Sequence, residues 1–182
     1  MNQTSPVSRA GSSGRAKPTR ATAGRRRAAA RVPPRRWRIA IVHAAWHADI
    51  VARSRDAAQA ALIEGGVAAA DIRCIEVPGA FEIPLHAQAL AASGEVDAVI
   101  ACALVVNGGI YRHEFVAAAV IDGLMRVQLD SAVPVFSAVL TPRDFHEHAE
   151  HQAFFSEHFV KKGREVAGAC LQTLQSLAQL AA

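Results

Sequence analysis

A chain of 182 residues is enough for one ordinary domain and a tail, and no apolar run approaches the ~18 residues that would cross a membrane. Ten of its twenty Arg and Lys, and none of its sixteen Asp and Glu, fall in residues 1–36. The tail is therefore +10 and the remainder, with ten basic against sixteen acidic residues, is −6. The pI near 9.4 describes that tail, the body being mildly acidic. Three cysteines without a CxxC, together with a start lacking an apolar signal core, are those expected of a soluble cytoplasmic protein in a reducing compartment.

Residues 1–36, built mainly of Ser, Gly, Ala, Thr, Pro and Arg, have little to bury and are expected to be disordered, with Pro33-Pro34 as a stiff spacer. The Arg25-Arg26-Arg27 run suits a polyanion, and the acid-free start imitates an organelle transit peptide. A dispensable extension or an early start codon is preferred, and nucleic acid is not expected as a partner. From Trp37 the pattern changes. Trp37 to His43 reads as a strand with Ile39, Ile41 and Val42 buried, and Asp49 as the N-cap of a helix running to Glu64. Gly65-Gly66 ends that helix. Asp71 to Val77 is the second strand, with Cys74, like Cys102, a small core residue.

Val77-Pro78-Gly79-Ala80 is a turn before a helix from Glu82 to Ala92. Val96 to Val106 is almost wholly apolar after Asp97, as a strand covered on both faces would be. Phe115, Val116, Ala119, Val120, Leu124 and Val127 recur at helical spacing through Leu129. Val133 to Leu140 is a fourth strand, with Pro134 near its start, and a final helical region containing Phe145, Phe154, Phe155 and Phe159 runs to Ala182. Four successive βα units predict a three-layer α/β/α sandwich with a four-stranded parallel sheet over residues 37–182.

Ligands of such sheets collect at the carboxyl ends of the strands. Three loops there carry unusual residues. The first holds Trp46 and His47, where an indole can stack on a flat heterocycle. The second, Gly79-Ala80-Phe81-Glu82, opens a helix whose first N–H groups lack partners. The third runs from Val105 to Phe115, with a glycine pair followed by Tyr111, Arg112 and His113. His146, His148, His151 and His158 cluster in one segment, but with no HExxH and no nearby Cys no metal is expected. Neither GxGxxG nor a P-loop occurs, and no Ser-His-Asp or Cys-His set is evident.

At Val77-Pro78-Gly79-Ala80-Phe81-Glu82-Ile83-Pro84-Leu85 the chain resembles the 6,7-dimethyl-8-ribityllumazine synthases of riboflavin biosynthesis, and the likeness extends from Arg38 to Leu180. The strand-Gly-helix segment and Pro134-Val135-Phe136 follow in the family's order and spacing. The wording Asn107 to Phe115, with Trp46 early, is similar to the second bacterial type. The resemblance implies a flavodoxin-like fold and an enzyme, a transferase, without metal or organic cofactor. Its small-molecule substrates would be 5-amino-6-(D-ribitylamino)uracil and 3,4-dihydroxy-2-butanone 4-phosphate. It also implies a homo-oligomer, a pentamer or a dimer of pentamers, because the family's site straddles two subunits.

On this resemblance Trp46 stacks on the pyrimidinedione, and Ala80, Phe81 and Glu82 hold the ribityl chain and ring. Leu104, Val105 and Val106 line the ring edge, Gly109 and Ile110 hold the butanone phosphate, and Phe136 arrives from a neighbouring subunit. Two positions depart from the family. Arg112 stands where most members carry a proton-moving His, with His113 one place later; the expectation is electrostatic work for Arg112 and proton transfer for His113. Glu150 stands where the family has a phosphate-binding Arg, which leaves His148, His151 or Lys162 for that end, Lys162 matching the family's Lys-Gly pair. Weaker substrate binding follows. The alternative reading is a flavin- or lumazine-binding protein with weak or lost synthase activity.

Overall fold

A computed structural model of the chain describes residues 36–143, 145 and 148–181. The expected disordered tail lies, but for Arg36, outside the described residues, as does His146. The elements follow in strict alternation: β1 (Ile39–Ala44), α1 (Ala48–Glu64), β2 (Ile72–Val77), α2 (Ile83–Ser93), β3 (Ala98–Leu104), α3 (His113–Ser131), β4 (Val135–Leu140) and α4 (Ala149–Leu180). Strand order is β2-β1-β3-β4, all parallel. One core, around Ile41, Ile100 and Phe159, lies between the sheet and α1 and α4; the other, around Val42, Val99 and Ile83, lies beneath α2 and α3. This is the expected three-layer sandwich.

Burial explains which strand patterns were plain. Every residue of the central β1 and β3 is buried, hence their unbroken apolar runs. β2 is an edge strand, buried only at Ile72 and Val77. Cys74, read as a core residue, is therefore exposed, while Cys102 and Cys170 are buried, and burial pushes both of their thiols up to about 12.

Several boundaries move inward. β3 starts at Ala98 because the Asp97 carboxylate accepts from the Arg38 N–H at 2.7 Å. β4 starts after Pro134, which has no N–H to donate but whose carbonyl accepts from Val99 N–H at 2.9 Å. α4 begins at Ala149, leaving Phe145 buried ahead of it. Asp49 does not cap α1. His47 does, in the left-handed conformation (φ 55°, ψ 41°), and Asp49 occupies the first turn, where a carboxylate suits the positive helix end. At the domain's edge the Arg36 guanidinium bonds the Asp71 carboxylate (Nε–Oδ2 2.6 Å) and holds it below the usual carboxylate range.

α1 and α4 approach through small residues, and Gly163 is the tightest point. A Cβ there would stand 2.3 Å from the Ser54 carbonyl oxygen and 2.9 Å from the Ala57 Cβ. Since the first of these is backbone, a side chain must push the helices apart. Gly163→Ala should lower stability by about 1–3 kcal/mol, read from denaturant midpoints; an unchanged midpoint would mean that the helices slide freely.

His43 sits on β1, 6% exposed, level with Glu76 of β2 and Cys102 of β3. Burial first, then the Arg55 guanidinium, holds its imidazole below its usual 6.5, while Glu76 and Asp56 oppose. The folded chain therefore binds fewer protons here than the unfolded one just below neutrality, so this contribution is present above 6.5 and is lost as pH falls toward the folded value. Denaturation midpoints across pH 5–8 should decline below about pH 6.5. The decline should be shallower in His43→Gln, and an identical slope in that variant would refute the assignment.

Candidate active site

The sheet's chain order reverses between β1 and β3, since the path from β1 leads outward to β2 and then crosses to the other side. At such a switch point the loops after the two strands part and leave a crevice. A cleft of about 260 Å³ occupies that place. Its walls come from the loop after β1 (Trp46, His47), the turn after β2 (Ala80, Phe81), the end of β3 (Leu104, Val105, Val106) and the start of α3 (Arg112, His113). The three loops singled out in the sequence do converge.

The β1 and β2 loops are zipped together past the end of the sheet. Ala45 N–H donates to the Val77 carbonyl (2.8 Å) and Trp46 N–H to that of Pro78 (3.3 Å). This lays the Trp46 indole, 67% exposed, against Gly79. The Gly79 N–H donates to Glu82 Oε2 at 3.0 Å, and this bond fixes the direction of the carboxylate. Glu82 is half-buried beside the cleft rather than among the residues that line it.

β3–β4 pairing ends at Leu104, with Val105 N–H still held by the Leu140 carbonyl at 2.9 Å, so the main chain leaves the ladder at the cleft. Asn107 Oδ1 then accepts from Gly109 N–H at 2.9 Å, and Gly109 takes φ +76°, a conformation that favours glycine. Gly108 lines the cleft, whereas Gly109 and Ile110 stand in the exposed turn at its mouth. Arg112 is the N-cap of α3, and its guanidinium lies 4.5 Å over the Phe115 ring, a cation–π contact that holds the charge at the entrance. The side chain of His113, the first residue of α3, is 17% exposed, with Nδ1 3.5 Å from Glu114 Oε2.

The remaining sequence-predicted residues lie elsewhere. Phe136, half-buried on β4, packs toward the α1 and α4 core. His148 caps α4, and its ring lies 4.5 Å from that of His151, which in turn stands edge-on to Phe155 at 6.1 Å. Glu150 is exposed in the first turn of α4, a favourable place for a carboxylate at a helix N-terminus. Lys162 Nζ is 2.6 Å from Glu165 Oε2. None of these lines this chain's cleft. Among the described residues no group of three ligating side chains could hold a metal ion, and no helix is long and apolar enough to cross a membrane.

His47, Gly108, Tyr111 and Val116 line the cleft without having been assigned a role. His47 and Tyr111 were named in the first and third loops singled out from the sequence, Gly108 lies in the third, and Val116 follows it directly. His47 also meets Phe145 edge-on at 5.6 Å, linking the cleft wall to the segment before α4. A larger groove, about 380 Å³, runs between α2 and α3. Its charged residues, Arg126 and Asp130, are already paired at 3.2 Å, and it holds no His, Cys or Glu to move a proton.

Fold and cleft together define an open α/β protein with a heterocycle-sized site at the β1/β3 switch point. Across residues 36–178 the chain matches the family described as 6,7-dimethyl-8-ribityllumazine synthase. It is 60% identical over 143 residues to a 6,7-dimethyl-8-ribityllumazine synthase of Rhodococcus erythropolis, covering 79% of this chain and 92% of that one. Proteins named 6,7-dimethyl-8-ribityllumazine synthase 2 from Bradyrhizobium diazoefficiens and Pseudomonas syringae pv. tomato are 53% and 52% identical over the same length, which is 79% of this chain and 86% and 84% of theirs. The chain belongs to the lumazine synthase family.

Proposed function

We propose that this protein condenses 5-amino-6-(D-ribitylamino)uracil with 3,4-dihydroxy-2-butanone 4-phosphate to 6,7-dimethyl-8-ribityllumazine, releasing phosphate and water, the penultimate step of riboflavin biosynthesis. The observation that carries it is the cleft at the switch point, where an exposed indole, a strand-end main chain, a fixed cation and an imidazole meet. The family membership supplies the reaction.

In this reading Trp46 stacks on the pyrimidinedione while Leu104, Val105 and Val106 border its edge. Ala80 and Phe81 pack on the ribityl chain, and Glu82, oriented by the Gly79 N–H, accepts from its hydroxyls. The turn at Gly109 and Ile110, shaped by the bond from the Gly109 N–H to Asn107, receives the butanone phosphate beside the start of α3. Water loss and phosphate departure both need proton transfer. Arg112 cannot supply it, because a guanidinium keeps its proton; it offsets negative charge instead, and His113 carries the proton.

The protein would act in the cytoplasm as a pentamer or dimer of pentamers. Phe136, and at the phosphate end Lys162, His148 or His151 in place of the Arg lost to Glu150, would serve a neighbouring copy's cleft. Leu85, Phe115, Ile121, Met125 and Leu129, all large and exposed on α2 and α3, support association of copies. The engagement of Lys162 by Glu165 favours one competing reading, a flavin- or lumazine-binding protein with little turnover.

Steady-state assay with both substrates decides between the two. Lumazine fluorescence should appear only with protein present; ligand binding without turnover would support the binder. His113→Ala should lower kcat by about a hundredfold or more, the usual scale for a proton-transfer group. Arg112→Gln should instead raise KM for the butanone phosphate, and unchanged turnover in His113→Ala would remove His113 from the proton path.

A further inference from the structure

Gly79 has an extended backbone (φ −144°, ψ −178°) that any residue adopts. Its lack of a side chain therefore answers to space, not to conformation. A Cβ built there would meet Trp46 Cε3 and Cζ3, both at 2.9 Å, and Glu82 Oε2 at 3.2 Å. The first two separations are shorter than real Cβ contacts, so something must shift. The indole would be the part to move. It is two-thirds exposed and ends a side chain, whereas the Trp46 main chain is tied to Pro78 and the carboxylate is held by the Gly79 N–H.

We propose that Gly79 is a positioning residue: its bare α-carbon is the seat that sets the Trp46 ring at the stacking angle, while its N–H aims the Glu82 carboxylate at the same ligand. One residue thereby couples the floor that receives the pyrimidinedione to the group that receives the ribityl hydroxyls. The inference rests on the synthase reading for the identity of the ligand, but the seat exists without it. A methyl group at position 79 would tip the ring and leave the fold intact, because the clash is relieved at the surface. The consequence falls on binding of the aminouracil, not on the proton transfers at the other end of the cleft.

The test uses the full chain carrying Trp37→Phe, so that Trp46 is the sole indole and its emission is read alone. Gly79→Ala should shift the emission and near-ultraviolet dichroism of Trp46 without substrate, with an unchanged melting temperature. It should raise KM for 5-amino-6-(D-ribitylamino)uracil about tenfold, the effect of roughly one displaced packing contact, with kcat within about threefold. Trp46→Phe removes Cε3 and Cζ3, so adding Gly79→Ala to it should raise KM little further. An unaltered Trp46 signal in Gly79→Ala, or KM penalties that multiply in full in the double variant, would overturn the proposal. If the parent protein fails to turn over, the synthase reading falls, and the substrate-free spectra still decide the seat.

Discussion

The site depends on how far the pairing of β1 with β2 continues. Parallel register sets Ala44 level with Val77, and the same pairing runs on through Ala45 to Val77 and Trp46 to Pro78 after both strands have ended. Two loops that would otherwise diverge, as parallel strands feeding different helices normally do, are held side by side. Because β2 then turns at Pro78-Gly79, the indole and the α2 entrance share one wall of the cleft. β3, in register on the other side of β1, delivers its end to the facing wall. Arg112 and His113 at the start of α3 thus share one cleft with the Trp46 indole, whose loop is held in place by backbone hydrogen bonds.

A division of labour follows across the sheet. Under α1 and α4 the helices close most tightly at Gly163, where a Cβ would stand 2.3 Å from the Ser54 carbonyl oxygen. On the other face α2 and α3 leave large apolar side chains uncovered, and the cleft opens beside them. A site with an exposed indole on one wall and an exposed aromatic, Phe81, close by is incompletely enclosed by a single chain. The proposed arrival of Phe136 from a neighbouring copy would supply the missing cover.

How much of this could be read from the amino acids depends on where the information is local. The central strands were plain because burial on both faces leaves uninterrupted apolar runs, and the three loops were plain because aromatic and glycine residues follow those runs directly. Cys74 misled because an edge strand keeps the composition of a buried one while only part of it is covered. His47 could not be foreseen as a left-handed helix cap, since Asn or Gly are the residues that signal that conformation. Gly79 looked like an ordinary turn glycine, yet its φ is extended and its role is spatial, a fact that only the folded position of Trp46 reveals. The residues expected at a phosphate end were least legible: His148 and His151 are drawn into ring contacts and Lys162 into an ion pair, none of which follows from spacing.

The most direct test is a crystal structure with an analogue of the ribitylaminouracil whose 5-amino group is replaced so that it cannot condense. The account predicts the pyrimidinedione face to face with the Trp46 indole, its edge along the main chain of 104–106 and its ribityl hydroxyls at Glu82. An analogue bound in the larger groove between α2 and α3, or in the cleft with its ring turned away from Trp46, would contradict it.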